Sequence, residues 1–106
     1  MALAVACYSA TKAFPPGEAY GMTSQIRRSA ASIAANIAER HGRENTGSFI
    51  QSLRIAQGSL KELETHLILC ERVGLLGEHT LSPLLEQANE VGKMLRSMIR
   101  KLQQKT

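Results

Sequence analysis

The chain has 106 residues, of which 43% are hydrophobic and 21% charged, and its 13 Lys plus Arg against 9 Asp plus Glu give a formal net charge of +4. That size and composition fit one folded domain with a modest core and exclude a disordered chain. No apolar run approaches the ~20 residues a membrane-spanning helix needs, and the apolar residues 1–7 lack the basic lead-in of a secretory signal, so a cytoplasmic protein without membrane association is expected.

Proline and glycine fall almost entirely at three breaks, Pro15-Pro16-Gly17, residues 42–47 and residues 74–83, leaving four segments. Residues 2–13 are rich in Ala, with Leu3, Tyr8 and Lys12, and a helix this short must be held by tertiary contacts. Residues 22–41 carry Met22, Ile26, Ala30, Ile33 and Ile37 at steps of four, four, three and four, which predicts an amphipathic helix. Residues 47–73 place Phe49, Leu53, Ala56, Leu60, Leu63, Leu67 and Cys70 at alternating steps of four and three. Thr46 or Ser48 is the expected N-cap there, and Gly74 the stop. Residues 82–103 open on Ser82 as N-cap and Pro83 as first helical residue. From Leu81 the fourth segment then repeats Leu84, Ala88, Val91, Leu95, Met98 and Leu102 in the same alternation. Seven-residue repeats on helices joined by short connections predict an all-α fold, an antiparallel up-and-down four-helix bundle occupying residues 1–106 as a single domain.

Catalytic and metal chemistry find no foothold. The chain has no Asp, so an Asp-based triad and a magnesium-binding aspartate cluster are excluded. His41, His66 and His79 lie far apart, without the convergent ligands a zinc site needs, and no GxGxxG, P-loop or HExxH pattern occurs. Cys7 and Cys70 sit among apolar neighbours and read as small buried hydrophobes. A non-enzymatic protein with no metal and no cofactor is the expectation.

The surface carries more information. On the second helix, the side opposite the apolar stripe holds Ser24, Arg28, Ala31, Ala35 and Glu39, where long polar side chains are usual. On the third, Ile55, Leu69 and Val73 lie off the stripe. Alanine is a good helix former in its own right. With both helices showing off-core small or apolar residues, Ser24, Ala31, Ala35, Ile55 and Leu69 are the expected subunit interface. Basic residues are unevenly placed: Arg54, Lys61 and Arg72 share one flank of the third helix, and Arg40, His41 and Arg43 end the second. Lys93, Arg96, Arg100, Lys101 and Lys105 make the C-terminus basic. Helix dipoles account for cations in last turns. Arg28, Arg40, Arg43, Arg54 and Lys61, with Arg96 and Arg100 as outer candidates, are the expected phosphate contacts. Phe14, Phe49, Tyr8 and Tyr20 are too scattered for base stacking, so RNA or DNA would be bound with little sequence preference and strong salt dependence.

Several stretches are more specific than periodicity. Phe14-Pro15, Glu18, Tyr20-Gly21, Thr23-Ser24-Gln25-Ile26-Arg27-Arg28, Asn36-Ile37-Ala38-Glu39 and Gly42-Arg43 form one set. The run Ile55-Ala56-Gln57-Gly58-Ser59-Leu60-Lys61-Glu62-Leu63-Glu64 forms another. Together they resemble the bacterial four-helix-bundle family named for proteins encoded in 23S rRNA intervening sequences. The resemblance spans residues 12–76 and implies a ring-like homopentamer. It also implies kinship to the accessory protein of diversity-generating retroelements, a basic pentameric barrel that binds nucleic acid and partners a reverse transcriptase. Two departures stand out. Arg40 replaces the family's usual Gly, which predicts a second helix continuing toward Gly42, and the first helix is about two turns short.

The signature residues also have a structural reading. Asn36 is unfavourable in mid-helix, and Ser29, Ser32 and Asn36 share one side of the second helix. A polar seam against Ser59 or Glu62 of the third helix is therefore predicted, with Arg27 or Arg28 paired to Glu39, Glu62 or Glu64. The functional expectation is a homo-oligomer, pentameric by resemblance, that binds RNA or DNA. The alternative is a protein-interaction scaffold that docks a partner such as a reverse transcriptase.

Overall fold

The computed structural model describes residues 1–18, 20–39 and 45–104. These form four α-helices, α1 Ala2–Thr11, α2 Met22–Ala38, α3 Thr46–Arg72 and α4 Glu78–Gln104, with a short 3-10 turn at Pro16–Glu18 between α1 and α2. Helix α1 packs on α2 and α4, α2 on α3, and α3 on α4. That neighbour order is the four-helix up-and-down bundle.

The predicted stripes become the core. Ile26, Ala30 and Ile33 of α2 meet Phe49, Leu53, Ala56, Leu60, Leu63, Leu67 and Cys70 of α3 in one buried cluster. On α4 the buried set is Leu81, Leu84, Ala88, Gly92, Leu95 and Ile99, so Gly92 and Ile99 replace the expected Val91 and Met98 in the deepest positions. The cause is geometric. A helix of 3.6 residues per turn drifts against a strict seven-residue repeat by ~20° per heptad, so over 27 residues the buried line steps to the next residue.

Helix ends depart from the sequence reading in instructive ways. The cap of α3 is Asn45 rather than Thr46 or Ser48: its extended backbone lets the side-chain oxygen accept from the Ser48 amide at 2.7 Å. At the other end Gly74 takes φ 84, and the amides of Gly74 and Leu75 donate to the Glu71 and Cys70 carbonyls. That is a Schellman stop. Helix α4 begins four residues before the expected Ser82, at Glu78, where the Gly77 carbonyl accepts from Thr80 and Leu81. Pro83 therefore lies within the helix. Its missing N–H deprives only the carbonyl of His79, an exposed residue in the first turn, where water can serve. Burial of Leu76 and Leu81 favours starting the helix early.

Helix α1 ends at Thr11, two residues short of the predicted boundary. Leu3, Cys7 and Thr11, each one turn apart, are its buried line. Thr11 Oγ1 accepts from Arg27 Nε at 2.8 Å, and the Arg27 guanidinium lies over the Tyr8 ring, 4.8 Å from its centroid. Arg27 thus ties α1 to α2. At ~1.5 Å per residue, α1 is about 15 Å long against about 40 Å for α3 and α4, so it covers only part of the bundle. For α2, regular helix ends at Ala38. The predicted continuation through Arg40 to Gly42 lies outside the described residues.

Candidate nucleic-acid interface

Between α3 and α4 runs a groove of about 380 Å³, lined by Gln57, Leu60, Lys61 and Glu64 from one helix and Ala88, Asn89, Gly92 and Arg96 from the other. Its depth comes from two small residues one turn apart on α4, Ala88 and Gly92, both buried. A side chain at Gly92 would fill it: a Cβ there would stand 3.3 Å from Arg96 Nη1 and 3.4 Å from Leu60 Cδ2. The Arg96 guanidinium therefore lies over Gly92, across the groove from Lys61.

Lys61 and Arg96 are exposed, and neither forms an ion pair with a described residue. Arg54 precedes Lys61 by seven residues and returns to nearly the same side of α3. Arg100 follows Arg96 by one turn. Because the helices run antiparallel with Leu60 against Gly92, Arg54 and Arg100 extend the same flank toward one end of the bundle. Both are exposed. Of the seven expected phosphate contacts, Lys61 and Arg96 line this groove, and Arg54 and Arg100 lie outside its lining. The planar Arg guanidinium offers paired donors and Lys a compact charge, a combination suited to phosphate oxygens.

Arg28 is elsewhere. It stands on the α2–α3 side, hydrogen-bonded to Gln25 and 3.7 Å from Glu62 Oε1. Arg40 and Arg43 lie outside the described residues. Lys93 is engaged by Glu90 at 3.7 Å.

The α2–α3 face carries the polar seam. Ser29 Oγ donates to Glu62 Oε1 at 3.1 Å, Ser32 and Ser59 share a hydroxyl bond of 2.8 Å, and Asn36 Nδ2 donates to the Ser32 carbonyl at 2.9 Å. All five predicted seam residues are hydrogen-bonded there. Glu62 also lies 3.6 Å from His66 Nε2, a buried nitrogen without a hydrogen-bond partner among the described residues. The Ser29–Glu62 and Ser32–Ser59 bonds join α2 to α3, while Asn36 bonds back within α2.

Of the residues expected at an interface, Ala31 and Ala35 face a second, apolar groove of about 640 Å³ between α1 and α2, together with Met1, Val5, Tyr8, Ala34 and Ala38. Ser24 is exposed on α2 outside that groove. Ile55 and Leu69 are 45% and 47% exposed on α3, where Val73 is also exposed. The predicted residues therefore fall on two separate surfaces rather than one.

Sequence reasoning missed Gln57, Asn89 and Gly92, and assigned Glu64 no place in this groove. A signal existed: Gln57, Lys61 and Glu64 repeat at the helical period one position beyond the core stripe, and Ala88 with Gly92 is a small pair at i, i+4 that permits close helix approach. Neither cysteine is available for chemistry. Burial pushes the Cys7 thiol up to about 11, and burial followed by the nearby Glu18 charge raises Cys70. No cluster of three or more His, Cys, Asp or Glu that could hold a metal ion occurs among the described residues, and no helix among them is long and apolar enough to cross a membrane.

Fold and groove together define an all-helical bundle with a cleft along one helix pair, its walls carrying Lys61, Glu64 and Arg96. The sequence matches the 23S rRNA-intervening sequence protein family over residues 1–97, and the chain belongs to that family. Its fold is similar to a crystal structure from Bacteroides thetaiotaomicron, a protein of unknown function from the S23 ribosomal protein family. The TM-score is 0.78 at 29% identity, over 91% of this chain and 87% of that one. No curated protein matches.

Proposed function

We propose that the protein is a non-enzymatic, cytoplasmic nucleic-acid-binding bundle that works as a homo-oligomer, pentameric as its family resemblance implies. In this reading the α3–α4 groove grips the phosphates of RNA or DNA with little regard to sequence. The observation that carries it is the placement of Lys61 and Arg96, unpaired by described residues, on the two walls of one groove. Arg54 and Arg100 continue the flank. Repetition of the groove around a ring would let weak contacts act together.

The test is binding of a labelled RNA and a DNA of the same sequence, with light scattering to give the oligomer's mass. If all four cations release counterions, log K should fall against log salt with a slope of about −3 per engaged protomer. The double substitution Lys61→Ala/Arg96→Ala should lower that slope by roughly 1.5, while Arg28→Ala, on the seam side, should change it little. No retention of either nucleic acid at low salt refutes the reading.

A second reading is a scaffold that docks a protein such as a reverse transcriptase. The apolar groove between α1 and α2, with Met1, Val5 and Tyr8 exposed on its rim, favours it. Binding through that groove would persist at salt concentrations that strip nucleic acid.

A further inference from the structure

The α3–α4 groove contains a group that phosphate binding does not use. Glu64 lies on its wall, one turn from Lys61, and is half-buried. It forms no ion pair with Lys61, Arg96 or any other described residue. Glu62, two residues earlier, is by contrast committed to Ser29, Arg28 and His66. A carboxylate beside a bound phosphate is repulsive. Its presence in the groove is unfavourable unless the ligand brings a donor for it.

We infer that the groove selects RNA over DNA, with Glu64 accepting a hydrogen bond from a ribose 2′-hydroxyl while Lys61 and Arg96 hold the adjoining phosphates. This rests on the phosphate-binding reading above. Along a nucleic-acid backbone, the 2′-hydroxyl is the donor that lies beside the phosphate and belongs to RNA alone. Gln57 and Asn89, on the same walls, offer amide donors and acceptors to the rest of the sugar edge. With DNA in the groove, Glu64 would stand beside a phosphate with no donor supplied by the strand, which disfavours the complex relative to RNA.

The experiment compares RNA, DNA and 2′-O-methyl RNA of one sequence by fluorescence anisotropy at fixed low salt. RNA should bind about tenfold more tightly than the other two, the worth of one hydrogen bond to a charged acceptor. The 2′-O-methyl strand should behave as DNA because it keeps the oxygen but loses the donor. Glu64→Ala should bring RNA down to the DNA level and leave DNA binding equal or stronger, with an unchanged thermal melt showing that the fold is intact. Equal binding of all three strands by the wild-type chain, or discrimination that survives in Glu64→Ala, overturns the inference and leaves the phosphate reading standing. Failure of every strand to bind overturns both.

Discussion

Replacing Gly92 by Ala separates stability from binding. Gly92 is buried in the middle of α4, where Ala is favoured by about 1 kcal/mol on helix propensity. Against that gain stand two contacts, Arg96 Nη1 at 3.3 Å and Leu60 Cδ2 at 3.4 Å from the added Cβ. The guanidinium ends an exposed, flexible side chain and can swing away at little cost. The Leu60 methyl belongs to the core but stands at ordinary van der Waals distance. Most of the propensity gain should therefore survive, about 0.5–1 kcal/mol, raising the melting temperature by roughly 2–8 °C for a domain of this size. The displaced guanidinium, however, no longer lies over the groove floor. Loss of one charge-assisted contact should weaken RNA binding by about tenfold. Thermal unfolding followed by circular dichroism, alongside anisotropy on the same preparation, reads both effects. A lowered melting temperature would show that Leu60 cannot yield. Unchanged affinity would show that Arg96 does not act from its place over Gly92.

Three further outcomes follow from the packing. Leu63 is fully buried, so Leu63→Ala should cost about 2–5 kcal/mol in urea unfolding, and a cost below that range would mean the bundle collapses around the cavity. Asn45→Ala removes the cap on the Ser48 amide and should cost about 1 kcal/mol, while Asn45→Ser should recover most of it. For the thiols, folding favours the neutral form of Cys7, so its contribution is fully present below the ordinary value of 9.0 and is lost as pH rises toward about 11. A thiol reagent at pH 8 should label neither cysteine until the chain unfolds, and prompt labelling of the native protein would contradict their burial.

The candidate site was legible only in fragments. Lys61, Arg54, Arg96 and Arg100 were identifiable as cations, but charge spacing along one helix says nothing about which helix lies beside it. Arg28 looked equivalent to Lys61 in sequence. It differs because α2 sets it beside Gln25 and Glu62, whereas Lys61 faces α4. Gly92 carried only the weak signal of a small pair with Ala88, and a glycine in a helical pattern reads as a defect until the neighbouring helix shows what its absent side chain makes room for.

By itself, the sequence determined the four helices, the core residues of α2 and α3, and the seam partners of Ser29 and Ser32, whereas Asn36 bonds back to Ser32 within α2 rather than across to α3. All are governed by periodicity, and a helix returns to the same face every three or four residues whatever surrounds it. Tertiary structure decided the start of α4 at Glu78, the shift of its buried line onto Gly92 and Ile99, and the convergence of Lys61 with Arg96. Those depend on how two helices rotate and slide against each other to bury apolar surface, a balance that is shared between both chain segments and is written in neither alone.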